Sequence, residues 1–535
     1  MMSGNRARWL FRACLALGAL HLLLLLVVAF SRATYAFDVE WMEGGELMHA
    51  VRLLRGDAIY AQPSYEFTAF FYPPGYPAVV AALATALGDV SHGLGRGVSI
   101  AATLITLALV FLVTKRGANI RFALLAVGLY AALDRVSGTF STVARPDALA
   151  YAFVLAAAAL ARYGRGTPSA IGAALLGVAA AYTKQTTVVF DLGIAAWLLW
   201  HDRRRGVIYS AVLTVLGAVV AGALERSTDG YFLFYVVSGH QQHAFFWSNA
   251  LFYFYRDLLF LAPLLLLVPV VWGAALRQIP WLLFGVLVAA AFIERTVTLS
   301  YPAHMYFREI AYESPRVLLL VPPLLMAFFL GRAALGRTAE PSSLDSYWMW
   351  LFLVSLLAGA LGHATQWAYK NAFMPVTVFG SIFVCLAAQD LCKRNPLVAS
   401  GVAAGVALQL IALADAPSSR MPSAEDHHRV AAIRERLDAI VGDKLVLAHP
   451  LLTYEQSGQV HFHQMSLSDV ATQGGVRDFD QAVASHRWSA IVTDEGDGLG
   501  PPAVVRRYYR LVERLDGPTM KTGVRVRPAA LWLPQ

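Results

Sequence analysis

Long apolar segments dominate this chain from residue 8 to residue 415, and short polar loops separate them. Most of these segments hold about 17–25 residues, the length that an α-helix needs to cross a hydrocarbon core of roughly 30 Å. The pattern predicts a mainly α, polytopic transmembrane protein with about thirteen spans. The predicted spans lie at 9–31, 96–114, 120–135, 147–163, 168–183, 187–201, 207–225, 257–275, 280–297, 315–333, 347–363, 372–390 and 397–415.

The residues after 415 have a different pattern. "RVAAIRERLDAIVGDKLVLAHP" predicts a helix, a turn and a strand, "HRWSAIVTDEGDG" a buried strand, and "TGVRVRPAALWLP" an alternating strand. The chain is therefore expected to divide into a membrane domain, 1–415, and a small soluble α/β domain, 416–535.

Composition and charge support a membrane protein and exclude two other classes. The chain is 57% hydrophobic and only 15% charged, whereas soluble domains are about a quarter charged. Its net charge of +8 comes largely from arginines in short loops, the positive-inside pattern, and so does not indicate a nucleic-acid partner. None of the three cysteines lies beyond residue 415, so the soluble domain is not a disulfide scaffold.

The basic loops also predict the topology. The basic N-terminus is expected in the cytoplasm, followed by an uncleaved first span. The short segment 73–88, "PPGYPAVVAALATALG", opens with two prolines and is predicted to be a re-entrant or juxtamembrane helix. The C-terminal domain then lies outside. The external loops, rich in aromatic, histidine and acidic residues, are 32–95, 136–146, 226–256, 298–314 and 364–371.

The first external loop concentrates acid. Residues 37–56, "FDVEWMEGGELMHAVRLLRG", contain four carboxylates: Asp38, Glu40, Glu43 and Glu46. From Glu43 onward the apolar spacing predicts an amphipathic helix lying flat on the membrane surface. Such a helix could be a simple anchor, with its acids favoured by the helix N-terminus. Anchors usually carry Lys and Arg instead, so a functional role for at least one acid is predicted.

Three motifs carry a family resemblance. "WMEGGELMHAVRLLRGDAIYAQP", "FYPPGYP" and "ARPDALAYAF" resemble the GT-C fold membrane glycosyltransferases that use polyprenyl-phosphate sugars, such as lipid A aminoarabinose transferases and protein O-mannosyltransferases. The resemblance implies an acidic pair at the start of the first-loop helix. Glu43 matches the second acid, and Met42 stands in place of the first. The base is then Glu43 alone, or Glu43 with Asp38 or Glu40.

The resemblance also places a second acid, Asp147, at the outer mouth of a span beside Arg145. The alternative is a structural salt bridge between Asp147 and Arg145 that caps the helix. A carboxylate suits the base that takes the acceptor's proton, and cations suit the phosphate leaving group.

Several external residues are candidates for substrate binding. A lysine that precedes the paired prolines in many relatives is Tyr72 here, so the phosphate contact is expected elsewhere. The candidates are Arg145, Lys184, Lys370, His304, Arg308 and Arg316, with snorkelling to lipid headgroups as the alternative for the lysines. His240, His243, His304 and His363 could also ligate a metal, although hydrogen bonding explains them as well; a divalent metal is left open. No nucleotide-binding motif is present.

Together these features predict an inverting glycosyltransferase of the bacterial inner membrane. It would pass a sugar from a polyprenyl-phosphate donor to a cell-envelope acceptor on the outer face. A transporter or lipid flippase is the alternative, but no repeated segment of the kind common in transporters is found. A non-enzymatic scaffold would leave the acidic first loop unexplained.

Overall fold

A computed structural model describes residues 5–258, 261–268, 345–394, 396–470, 476, 478–497 and 499–535. The predicted spans 280–297 and 315–333 lie outside these residues, and 257–275 is described only in part. The candidate residues His304, Arg308 and Arg316 also lie outside them.

Nine α-helices occupy the described chain up to Ser227. They are α1 (Asn5–Ala33), α2 (Glu43–Arg55), α3 (Gly75–Leu87), α4 (His92–Gly117), α5 (Ile120–Leu133), α6 (Asp147–Tyr163), α7 (Gly166–Thr183), α8 (Val188–His201) and α9 (Arg203–Ser227). Further apolar helices follow at Ser346–Ala364, Met374–Arg394 and Pro396–Ala412. Short helical segments include Phe140–Thr142, Gln185–Thr187, Phe234–Gly239, Trp247–Phe252, Tyr253–Leu258 and Lys370–Phe373.

These helices confirm the predicted helical segments within the described residues. Five helical segments of the described chain are long and apolar enough to cross a membrane by themselves. They are Arg8–Ala33 within α1, His92–Gly117, Arg203–Ser227, Ser346–Ala364, and Lys370–Lys393, which joins a short helical segment to the helix from Met374. The chain is therefore a mainly helical membrane protein. Segment 73–88 forms the 13-residue helix α3, about 20 Å long, which is too short to span a bilayer upright.

Helix α1 packs against α5 and against Pro396–Ala412. The crossing of α1 and α5 is close because both helices present a glycine. A Cβ added to Gly128 would lie 2.5 Å from the Cα of Gly18. Small residues at a helix crossing let the two backbones approach each other, which is typical of membrane helices.

The region from Pro417 onward contains a four-stranded mixed sheet. Its strands are β1 (Lys444–Val446), β2 (Ala490–Glu495), β3 (Tyr509–Arg514) and β4 (Arg527–Pro534), in the order β1-β2-β4-β3. Strands β1 and β2 are parallel, and β4 is antiparallel to both β2 and β3. The helices of this region are Pro417–Arg420, Ala424–Asp438, Pro450–Ser457, Gln464–Val470, Phe479–Ala484 and Ala503–Tyr508.

Strand β4 differs from its predicted alternating pattern. Five consecutive residues, 528–532, are buried. The reason is that both faces of β4 are covered: Leu531 packs into one hydrophobic cluster, and its neighbours Ala530 and Trp532 pack into another.

The C-terminal region packs directly on the first loop. The backbone amides of Lys521 and Thr522 both donate to the carbonyl of Val39, at 2.8 and 3.0 Å. His463 Nε2 donates to the carbonyl of Trp41 at 2.8 Å. The first-loop acids are therefore enclosed between the helical part of the chain and the C-terminal region.

Candidate active site

The N-terminal two-thirds of α2 is buried inside the protein. Every residue from Glu43 to Val51 is buried, and α2 packs against α3, α4 and helix Pro450–Ser457. The sequence predicted this helix correctly, and its apolar face is covered by protein. Its orientation flat on the membrane surface stays a prediction. An apolar stripe identifies the face that is covered, not what covers it, and here protein also covers the polar face.

Glu43 is fixed by its surroundings. Its carboxylate accepts hydrogen bonds from Arg96 Nε at 2.9 Å and Nη2 at 2.6 Å, and from the backbone amide of Ala144 at 2.7 Å. The amides of Val39 and Glu40 donate to it as well, at 2.7 and 3.2 Å. Burial alone would raise the pKa of Glu43, but Arg96 outweighs burial and lowers it. Both oxygens of Glu43 are therefore engaged by Arg96 and by backbone amides.

Asp38 ties the first loop to the C-terminal region. One carboxylate oxygen accepts from His92 Nε2 at 2.8 Å, and the other pairs with His449 Nδ1 at 2.6 Å. The second ring nitrogen of His449 lies 3.0 Å from Asp494 Oδ2. Burial opposes ionisation of Asp38, yet the two histidines hold its pKa well below the usual range. Burial likewise opposes protonation of His449, and the two aspartates raise its pKa to about 10.

Glu40 pairs with Arg145 instead of lying open to solvent. Arg145 Nη1 donates to Glu40 Oε2 at 2.9 Å, and its Nη2 donates to the hydroxyl of Tyr72 at 2.8 Å. The alternative of a salt bridge between Arg145 and Asp147 is wrong. Arg145 pairs with Glu40 of the first loop, and Asp147 pairs with Lys184.

Asp147 begins α6 and is fully buried. Lys184, at the end of α7, donates to Asp147 Oδ1, and Asn371 Nδ2 donates to the same oxygen at 3.0 Å. The second oxygen, Oδ2, accepts no hydrogen bond from the residues that the structure describes. The loops around 145, 184 and 371 therefore meet at one place.

Glu46 lies on α2 one turn after Glu43, and its side chain is buried. Its Oε2 has no hydrogen-bond partner within the described part of the chain. Burial raises the pKa of Glu46 to about 7, opposed by Arg145 and assisted by Asp147 and Glu40. The sequence marked Glu46 only as one of four clustered acids; its i, i+3 spacing from Glu43 was the signal that both acids share a helix face.

The pair Gly44-Gly45 allows this helix to sit so tightly. A Cβ on Gly45 would lie 2.4 Å from Phe70 Cζ, closer than a side chain can approach. His49 completes the contact between α2 and segment 67–71: its Nδ1 donates to the carbonyl of Gly45 at 2.9 Å, and its Nε2 accepts from the amide of Phe70 at 3.0 Å.

The remaining candidates lie around this cluster rather than in it. Lys370 is buried beside Gly138, and His240 Nε2 donates to the carbonyl of Phe71 at 2.8 Å. His243 lies 3.5 Å from Asp469 and His363 lies 3.2 Å from Asp257. Within the described ranges, no group of three or more His, Cys, Asp or Glu side chains is arranged to hold a metal ion.

Four of the clustered residues, Tyr72, Arg145, Asp147 and Lys184, lie in one continuous stretch of sequence with a recognisable family signature. Residues 72–224 match the family model of the dolichyl-phosphate-mannose-protein mannosyltransferases. The match confirms, over this part of the chain, the resemblance to glycosyltransferases that use polyprenyl-phosphate sugars. The first-loop helix with Glu43 and Glu46 precedes the matched segment.

Solved structures with similar architecture include two of ArnT from Cupriavidus metallidurans, one apo and one bound to undecaprenyl phosphate. Each ArnT structure is 14% identical to this chain. The alignment covers 96% of this chain and 97% of the ArnT chain, with a TM-score of 0.46. Another match is the apo oligosaccharyltransferase of Archaeoglobus fulgidus, which is 10% identical to this chain. The alignment covers 89% of this chain and 69% of the oligosaccharyltransferase chain, with a TM-score of 0.42. A search of curated proteins found no match.

Proposed function

We propose that this protein is a membrane glycosyltransferase that moves a sugar from a polyprenyl-phosphate carrier to an acceptor outside the cytoplasm. The family match over residues 72–224 supports this function. A transporter gains no support from that match.

The observation that carries the proposal is one buried cluster that joins carboxylates to cations. Arg145 and Lys184 each contact a carboxylate in it, and Glu46 and Asp147 each keep an oxygen without a partner among the described residues. Sugar transfer from a lipid phosphate requires these two kinds of group, a base for the acceptor and positive charge for the leaving phosphate.

The reaction proposed is a direct displacement. The acceptor oxygen attacks the anomeric carbon while a carboxylate takes its proton, and the bond from that carbon to the phosphate oxygen breaks. The configuration at the anomeric carbon inverts because the two bonds lie on opposite faces of the sugar. Lys184 and Arg145 stabilise the negative charge that remains on the polyprenyl phosphate. Of the acids predicted to be catalytic, Asp147 lies in this cluster and Glu40 pairs with Arg145. Glu43 and Asp38 stabilise the first loop through their ion pairs with Arg96 and His449.

The topology belongs to the same proposal. We assign thirteen spans, a membrane domain of 1–415 and an extracytoplasmic domain of 416–535, in the inner membrane of a bacterium. The contacts Glu40–Arg145, Asp147–Asn371 and Asp38–His449 support it, because loops predicted to share the outer side meet one another. The acceptor would then be a lipid, polysaccharide or protein of the cell envelope.

The purified protein, incubated in detergent with radiolabelled polyprenyl-phosphate sugars and an envelope extract, tests the function. We expect label to move from the lipid fraction to an acceptor. Asp147→Asn should reduce transfer strongly, whereas Asp57→Asn, which removes an exposed acid of the first loop, should not. Absence of transfer from every polyprenyl-phosphate sugar tried would contradict the proposal.

A further inference from the structure

One first-loop acid differs from the other three in its partners. Asp38 faces two histidines, Glu40 faces Arg145, and Glu43 faces Arg96. No cation lies within ion-pair distance of Glu46 among the described residues, although only 1% of Glu46 is exposed. A buried carboxylate without a partner is costly and therefore needs an explanation.

Building on the proposed function, we propose that Glu46 is the catalytic base that takes the acceptor proton. Its Oε2 is buried and makes no hydrogen bond within the described chain, so this oxygen keeps its capacity to accept one from an acceptor hydroxyl. Glu43 is excluded from that role because both of its oxygens are already engaged by Arg96 and backbone amides. A base must reach its proton before its pKa matters. Asp147 also keeps one oxygen without a partner in the described chain, but Lys184 and Asn371 both donate to its other oxygen, whereas no cation pairs with Glu46 there.

The environment of Glu46 suits proton transfer near neutral pH. Burial raises its pKa to about 7, against the attraction of Arg145. Among the residues that the structure describes, the charged and titratable groups that interact with Glu46 are Arg145, Asp147, Glu40, Tyr60, Tyr72 and Tyr76. A base works best when its pKa lies near the operating pH, because it is then both ionised and able to hold the proton.

The acceptor O–H proton passes to the Glu46 carboxylate as the acceptor oxygen bonds to the anomeric carbon. The electron pair of the breaking C–O bond stays on the polyprenyl phosphate, opposite Lys184 and Arg145. Glu46 is left protonated and returns its proton to water or to the departing phosphate.

Glu46→Gln and Glu46→Asp in the full-length protein test this role. We expect Glu46→Gln to lower turnover by about 10²–10⁴-fold while melting temperature and binding of undecaprenyl phosphate stay at wild-type values. Glu46→Asp should retain part of the activity. Wild-type turnover should rise as pH increases through about 7, and this limb should be absent from Glu46→Gln. Glu66→Gln, an exposed acid of the same loop, is the matched control.

Infrared difference spectra provide a readout apart from transfer. The carbonyl band of protonated carboxylic acids should shrink near pH 7 in the wild type. Burial raises the pKa of Glu40 to about 7 as well, so Glu46→Gln should lose the Glu46 part of this band and keep the part that belongs to Glu40. If Glu46→Gln turns over like an active wild type, the role of Glu46 is overturned and the proposed function stands. A wild type that transfers sugar from no polyprenyl phosphate overturns both.

Discussion

Arg96 and Glu43 form an ion pair that is fully buried, with 2.6 Å between Nη2 and Oε2. The guanidinium also donates to the carbonyls of Arg32, Tyr35 and Phe37, so it fastens the segment before α2 as well as α2 itself. A buried pair satisfied in this way specifies one arrangement of the loop, because backbone groups of the loop also engage both side chains.

The first prediction is that Glu43→Gln destabilises the protein. It leaves the Arg96 charge buried without a counter-charge, and breaking such a pair costs about 3–5 kcal/mol. Thermal unfolding in detergent should show a clear drop in melting temperature, with Glu66→Gln as the charge-matched exposed control. A melting temperature equal to that of the wild type would contradict a structural role for Glu43.

The second prediction concerns Asp147 and Lys184. Asp147→Asn should lower both melting temperature and sugar transfer, because Lys184 loses its counter-charge in a buried place. Adding Lys184→Met should recover much of the stability but not the transfer. Adding Arg145→Gln instead should recover nothing, since Arg145 pairs with Glu40. Better recovery with Arg145→Gln than with Lys184→Met would mean that the pairing is different.

The third prediction is a pH dependence set by His449. Its pKa is raised in the folded protein from 6.5 to about 10, so the stabilisation is fully present below about 6.5 and is lost as pH rises through about 10. The difference in melting temperature between wild type and His449→Gln should therefore shrink over that range. His428→Gln, at an exposed position, should leave the wild-type pH profile unchanged. A constant difference up to pH values above 10 would show that His449 does not act through its charge.

The fourth prediction concerns the side of the membrane. In a Cys392→Ser background, a cysteine at Ser91, which is exposed at the start of α4, should react with an impermeant thiol reagent in intact spheroplasts. A cysteine at Arg204, exposed in the first turn of α9 and predicted to face the cytoplasm, should react only after permeabilisation. The reverse pattern would invert the proposed topology and move Asp147 to the inner face.

The sequence by itself determined the class of the protein and most of its helices. Apolar length and period depend only on local composition, so the predicted segments 147–163 and 187–201 nearly coincide with helices Asp147–Tyr163 and Val188–His201. The sequence also predicted Arg145, Asp147 and Lys184 as candidate site residues, because the few charges at the ends of apolar segments stand out.

Only the tertiary structure decided which charge meets which. Each ion pair joins residues that are far apart in the sequence: the separation is 53 residues for Glu43 and Arg96, 105 for Glu40 and Arg145, and 411 for Asp38 and His449. Hydrophobic period tells which face of a helix is covered, but ion pairs across loops depend on how distant segments pack. For that reason four acids that look alike in the sequence become three fixed carboxylates and one, Glu46, that keeps an oxygen without a partner in the described chain.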